Sequence, residues 1–561
     1  MILAMVMLLA LVAGCGTTPT DTGAATATPA ASSTAASESP AASSAEASTE
    51  APLDTKTMAL PLTTEPVTLK IFKPVNRVEQ DFKDNAVWAE ITKRTGITFE
   101  GECPTTEASG DRLTLILASK QYPDVLFTST GGGSSAFPGG FEQGIDDGVL
   151  IDLLELVKKE APVYWSYLSA NPSALRDGTT DKGYLPAIYQ LAQKDNNIDT
   201  GLWCNVVRAD WLKDLNMAVP QTIDEWYTVL KAFKEEKGAT FPLPWMLGNN
   251  PIWAQAYGIG MMPFSLTGPA SVNQFYPDEN NKIHFGGIEQ GFQDYLTTLS
   301  KWYKEGLFDR DFTTRGVFDL PTAAKLIGTG QSGVTGGFLG WTGMYMGANA
   351  GADPDFELAP CPDPVLEKGQ KATVIRNKSE FLGNDGMSIT SACKTPEVFI
   401  KLINYLSTDE GISLVTYGIE GDTFTMVDGK PKFTDKILKD PMGAYDTREI
   451  RISAILPIDT IPMMDVLSQL QPAKTLEDAK IPSDSVKNVY MYYSLNDEES
   501  TEFSEIMGDI NTYVAENYTK AVMDPAVAAK WMEVQGAKLK EMGIERAIEI
   551  CQGAWDRYLA K

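Results

Sequence analysis

Histidine is almost missing from this sequence: the 561 residues hold one, His284. A Ser-His-Asp arrangement would have to use it. Yet it lies in Asn280-Asn281-Lys282-Ile283-His284-Phe285, which reads as a hairpin rather than the seat of a general base. Motifs of fixed spacing are missing too. There is no G-x-x-x-x-G-K-[ST], no G-x-S-x-G and no H-E-x-x-H. Gly328-Thr329-Gly330-Gln331-Ser332-Gly333 spells G-x-G-x-x-G. A helix precedes it and a strand follows, the reverse of what a dinucleotide site needs, so no cofactor is expected. Cysteine is sparse, six in all and without a C-x-x-C pair, which argues against a disulfide framework or a zinc site. Asp195, Asn197 and Asp199 have calcium-loop spacing, but Gly201 comes one place late and no acidic residue closes the loop, so no metal is expected. Positive charge is in deficit. A net charge of −27 repels nucleic acid, which is not expected as a partner.

What is present begins with an uncharged apolar run over residues 1–11, followed by Val12-Ala13-Gly14-Cys15. The run is shorter than the ~20 residues that cross a bilayer as a helix. A short apolar segment ending in small residues reads as an export signal, here residues 1–14. The thiol of Cys15 can carry lipid, and acyl chains hold a soluble body at a membrane surface. The pattern resembles the lipobox of bacterial lipoproteins, although no Lys or Arg precedes the apolar run. Residues 16–56 are nearly all Ala, Ser, Thr, Pro and Glu. Such a tract buries too little apolar surface to offset the entropy of ordering, so residues 15–65 are expected to be a lipidated tether.

An α/β fold is expected from residue 66. Val67, Leu69 and Ile71 alternate as in a strand. A helix over 85–95 carries Val87, Trp88 and Ile91 on one face and stops at Gly96. Strand-like 97–99, a helix over 111–120 and strand-like 124–127 follow, an order that implies parallel strands with helical crossovers. Ligands of such sheets sit beyond the carboxyl ends of the strands, which points to the loops 73–77 and 128–133. Thr222 and Glu225 form a T-x-x-E capping box ahead of the stripe Ile223, Trp226, Val229, Leu230 and Phe233. Helices are also expected over 397–406 and 522–550, the latter broken near Gly543.

Aromatic residues supply the remaining candidates. An indole covers the C–H face of a sugar, and Asn, Asp or Arg satisfies its hydroxyls. Trp226 and Trp302 lie on amphipathic helices and read as core. Trp341 stands in Gly340-Trp341-Thr342-Gly343 after a strand, where small neighbours leave its face open. Trp203 shares a strand face with Asn205 and Val207. Trp245 and Trp253 flank Gly248-Asn249-Asn250. Trp341, Asn205, Trp203, Trp245, Trp253 and Asn249 are therefore the expected ligand contacts.

Tyr122-Pro123-Asp124-Val125, Val207-Arg208-Ala209-Asp210-Trp211-Leu212, Pro220-Gln221-Thr222-Ile223-Asp224-Glu225, Tyr417-Gly418-Ile419-Glu420-Gly421 and Ala554-Trp555-Asp556-Arg557 occur in this order along the chain. With 148–153 and 302–308, they make it similar to the family 1 extracellular solute-binding proteins of ABC importers, in particular their large carbohydrate-type lipoproteins. The resemblance implies a two-lobed periplasmic-binding-protein-like fold of type II, with an inter-lobe ligand cleft. It implies a monomer on the extracellular face of the cell membrane, lipid-anchored, that hands a sugar to permease subunits and is not an enzyme. Trp341 falls where maltose-binding relatives carry a sugar-stacking Trp, and Asn205 on the strand re-entering the second lobe. Crossings are expected near 185–200, 381–391 and 441–450. Lobe 1 is then 66–189 plus 390–440, and lobe 2 is 190–389 plus 441–561. Many relatives have a calcium-like loop after the helix of the capping box. Here that place reads Lys237-Gly238-Ala239-Thr240, which argues against the ion. Two alternatives stay open: a peptide or charged-glycan receptor using Arg77, Arg208, Arg315 or Arg376, and a surface glycosidase with two carboxylates.

Overall fold

The computed structural model describes residues 55–75, 82, 85–129, 137, 140–192, 203–244, 251–259, 275–315, 320–338, 342, 345–346, 349, 353–372, 374–376, 382–440, 442–459, 461, 463–470, 486–488 and 495–561. The export signal, Cys15 and the tether up to residue 54 lie outside them. In chain order the strands are β1 (Val67–Phe72), β2 (Ile97–Glu102), β3 (Val125–Ser129), β4 (Ile188–Ala192), β5 (Trp203–Arg208), β6 (Phe275–Pro277), β7 (Ile283–Phe285), β8 (Val334–Phe338), β9 (Leu358–Pro360), β10 (Val374–Arg376), β11 (Leu382–Ile389), β12 (Phe424–Val427), β13 (Lys430–Phe433), β14 (Ile458–Asp459) and β15 (Val486–Asn488).

The first lobe grows from the β-α-β-α-β order read in the sequence. β1 runs parallel to β2, pairing Val67 with Ile97, and parallel to β3, pairing Ile71 with Val125. The helix Ala86–Thr95 makes the first crossover. Asn85 caps it by accepting from the amides of Val87 (2.9 Å) and Trp88 (3.3 Å). Gly96 stops it in a left-handed conformation, φ 79°, that a side chain would strain. Val87, Trp88 and Ile91 are buried, as their spacing requires. The complete sheet has the order β14-β4-β11-β3-β1-β2, with β11 antiparallel to both β3 and β4. Val125 of β3 faces one hydrophobic core and its neighbour Leu126 faces another, so both sides of the sheet are covered.

The second lobe is built on β8-β5-β9, all antiparallel. The capping box forms as read: the Glu225 amide donates to Thr222 Oγ1 (3.2 Å) and the Thr222 amide to Glu225 Oε2 (3.1 Å). It starts the helix Ile223–Glu235, whose buried stripe joins that of Gln290–Lys304. The helices Asp497–Met523 and Ile544–Ala560 complete this core. The helix expected over 522–550 is divided more than once. Asp524-Pro525 ends the long segment, and Gly543 at φ 96° separates it from the last helix.

Two expected boundaries move. The tether ends before residue 65: Met58, Leu60 and Leu62 pack against the first core, and Asp409 donates its amide to Thr55 O at 2.9 Å. The boundary at 440 comes too early. Ile452, Ile455, Ile458, Val466 and Leu470 belong to the first core, and Asn85 Nδ2 donates to Ile450 O and Ser453 O, each at 3.0 Å. β14 adds to the sheet beside β4, pairing Ile458 with Leu191. Described first-lobe elements therefore end at Ala192, resume with β11 at Leu382 and run to Leu470, and described second-lobe elements begin at Trp203 and resume at Asn496, so crossings within 192–203, 376–382 and 470–496 are proposed. β10 and β15 pair in parallel, Val374 with Val486.

Candidate functional site

β5 enters the second lobe directly from the first crossing. Its period of two puts Asn205 and Val207 on one face. The register pairs them with Gly336 and Val334 on β8, and Trp203 with Phe338. Val207 and Val334 point into the second core. Asn205, two residues nearer the crossing, is 2% exposed, and its Oδ1 finds no hydrogen-bond partner. Its backbone is pinned, with its carbonyl accepting from the Cys361 amide at 2.8 Å. Opposite it, Gly336 brings no side chain. An unpaired buried acceptor costs about 1–3 kcal/mol.

The first lobe offers a comparable shelf that sequence reasoning missed. Thr128 near the carboxyl end of β3 is 1% exposed, Ser388 on β11 is fully buried, and neither hydroxyl has a partner. The register pairs Gly386 with Thr128 and Ser388 with Leu126, so both hydroxyls stand on the same face of the sheet. Thr128 opens the loop 128–133 that strand order had marked. Ser388 gave no local signal, because its neighbours come from distant parts of the chain.

The other candidates divide. Trp203 occupies the first position of β5, next to where β8 ends at Phe338. Trp341, Trp245 and Asn249 lie outside the described residues. Trp253 is corrected. It is 4% exposed, edge-on to Trp226 (ring centroids 4.8 Å apart) and to Trp302 (5.4 Å), and so is a core residue. The crevice beside it, lined by Tyr257, Tyr295, Thr298 and Trp302 among others, holds about 10 Å³. That is room for about one water and not for a sugar.

Two of the candidate carboxylate-binding arginines are already engaged. The Arg208 guanidinium lies 4.5 Å from the rings of both Trp211 and Phe356. Its Nε donates to Asp210 Oδ1 (2.8 Å), and Nη2 reaches Asp353 Oδ2 (3.2 Å). Arg315 Nε donates at 2.6 Å to Asp309, whose side chain is fully buried. Arg77 lies outside the described residues, and of Arg376 only the strand position is described. His284 stands in the β6–β7 hairpin with Nδ1 3.0 Å from Glu289 Oε1 and Nε2 3.3 Å from Asp278 Oδ2. Burial holds the Cys361 thiol well above its ordinary range, which keeps it a neutral S–H beside Asn205. Where a calcium loop was sought, Lys237 Nζ lies 2.6 Å from Asp214 Oδ2. Among the described residues no group of three or more His, Cys, Asp or Glu could hold a metal ion.

Comparison with known proteins bears on this geometry. The family described as bacterial extracellular solute-binding protein matches residues 78–412. Lipoprotein LipO of Bacillus subtilis is 26% identical over 255 residues, a match spanning 44% of this chain and 45% of LipO. The fructooligosaccharide ABC transporter substrate-binding protein FusA of Streptococcus pneumoniae is 23% identical, over 74% of this chain and 77% of FusA. The polygalacturonan/rhamnogalacturonan-binding protein YtcQ of B. subtilis is 24% identical, over 82% of this chain and 87% of YtcQ. Among solved structures, the alginate-binding protein AlgQ2 superposes with a TM-score of 0.72 at 24% identity, covering 88% of this chain and 99% of AlgQ2. This likeness places the fold among two-lobed binding proteins.

Proposed function

The chain belongs to the bacterial extracellular solute-binding protein family, and from that premise we propose that it is the receptor of an ABC importer, capturing an oligosaccharide between its lobes. The observation that carries the ligand class is Asn205. A sugar hydroxyl donates to an amide oxygen, and the pinned strand presents that oxygen without a competing protein donor. Trp203 and Trp341 are proposed to stack on sugar rings, with Thr128 and Ser388 meeting hydroxyls from the first lobe. FusA, YtcQ and AlgQ2 are all named for carbohydrate ligands, which supports the class. Arg208 and Arg315 are engaged within the protein, so neither is available to pair a ligand carboxylate.

No bond is made or broken in this function. Ligand preference for the closed form shifts an open–closed equilibrium, and the two crossings next to the paired β10 and β15 are the proposed hinge. Hydrogen bonds to buried polar groups supply discrimination, because a ligand lacking the hydroxyl leaves the acceptor unpaired. Cys15 is proposed to carry the lipid that holds the receptor on the outer face of the membrane, near its permease. The test is a thermal-shift screen of purified protein against neutral oligosaccharides, oligo-uronates and a peptide library. A ligand at a hundredfold excess over Kd stabilises the fold by about 2.7 kcal/mol. Stabilisation by at least one oligosaccharide, neutral or acidic, is expected. Stabilisation by peptides alone, or release of new reducing ends, contradicts the proposal.

A further inference from the structure

Outside the three crossings, the lobes are joined by side chains at the very end of the chain. The helix Ile544–Ala560 is rooted in the second core through Ala547, Cys551, Trp555 and Tyr558. The helix Pro172–Gly178 is rooted in the first through Ala174. Between them, Tyr558 Oη donates to Asp177 Oδ1 at 2.7 Å. Arg176 lies 4.8 Å over the Tyr558 ring and also reaches Asp177, at 3.0 Å. One turn on, Asp181 takes Arg557 Nε on Oδ2 (3.2 Å) and Lys561 Nζ on Oδ1 (2.8 Å). Lys561 Nζ further donates to Thr179 O at 3.1 Å. Arg557 is braced from its own lobe by Glu499, whose Oε1 accepts from Nη1 at 2.9 Å. Glu499 closes the capping box of the helix that receives the third crossing.

From this geometry we infer that the end of the last helix is a permanent strut, fixing the second lobe to the first beside the third crossing and acting as the pivot on which the lobes turn. Two features separate a pivot from a latch that opens. Asp177 is 3% exposed and Tyr558 is 4% exposed, so parting them gives up a buried, charge-assisted hydrogen bond and the packing around it. The position beside a crossing is where rotation of one lobe on the other moves atoms least. The strut therefore keeps its contacts in the open and the closed forms alike, and it couples the two cores mechanically.

The full chain tests this without any sugar. A carbodiimide condenses the Asp181 carboxylate with the Lys561 amine, joining them by an amide bond while the reagent takes up the water lost. Peptide mass spectrometry is expected to find that link. Small-angle scattering of the linked protein is expected to match that of the free protein, because a pivot does not restrict the motion. Absence of the link, or a linked protein more compact than the free one, overturns the inference. Hydrogen exchange of Asp177→Asn/Tyr558→Phe and of Arg557→Ala/Lys561→Ala gives an independent reading. Amides of 173–178 in the first lobe are expected to exchange about tenfold faster together with those of the last helical turn. A rise confined to the last turn means the contact carries nothing across and also overturns the inference.

Discussion

Replacing Asn205 with leucine moves stability and binding in opposite directions. In the free protein the Asn205 amide oxygen is buried without a partner, opposite Gly336. Such a group costs about 1–3 kcal/mol, and a leucine, alike in branching though bulkier, removes the cost while adding apolar contact beside Val207 in the space that Gly336 leaves. Asn205→Leu is therefore expected to stabilise the ligand-free protein by roughly 1 kcal/mol. The same change deletes the acceptor for a sugar hydroxyl. One neutral hydrogen bond is worth about 0.5–1.5 kcal/mol, so affinity is expected to fall by roughly threefold to tenfold. Urea unfolding without sugar gives the first number, and calorimetric titration with the tightest sugar from the screen gives the second. A purely structural asparagine gives the contrary pattern. If Asn205→Leu lowers stability by more than ~1 kcal/mol and leaves affinity unchanged, the reasoning about this site is refuted.

Further outcomes follow from neighbouring geometry. Arg208→Leu strips Asp210 of its buried partner and opens the slot between Trp211 and Phe356; it is expected to destabilise by about 3 kcal/mol in urea without altering which sugars bind. Trp253→Ala empties a core position between Trp226 and Trp302 and is expected to cost about 3–5 kcal/mol, with sugar affinity of the folded fraction unchanged. Glu225 sits below its ordinary value of 4.5, first because the Gln221 amide donates to its carboxylate, with burial opposing. Its stabilisation is full above 4.5 and is lost as pH falls through the lowered value, so a melting series from pH 6 downward is expected to flatten in Glu225→Gln relative to the parent.

The first half of the first lobe was legible because its signals are local. Alternation in 67–71, the Asn85 cap and the Gly96 stop act within a few residues, and the structure uses each of them. The capping box at Thr222 was legible for the same reason. The third crossing was not. β14 is two residues long, too short for any period, and it joins the sheet only because β4 offers a free edge to Ile458. The site divides in the same way. That Asn205 shares a face with Val207 follows from strand period alone. That Trp253 is sealed by two other indoles depends on helices that meet only in the folded chain. An indole filling a core and an indole awaiting a sugar look alike in sequence.

The account turns on a reversible closure of two lobes over an uncleaved sugar. Small-angle scattering during titration with the tightest-binding oligosaccharide tests that most directly. The expected result is a fall in the radius of gyration that saturates at one sugar per chain, with the sugar recovered intact. A bound sugar that leaves the scattering unchanged, or that is recovered shortened, contradicts it.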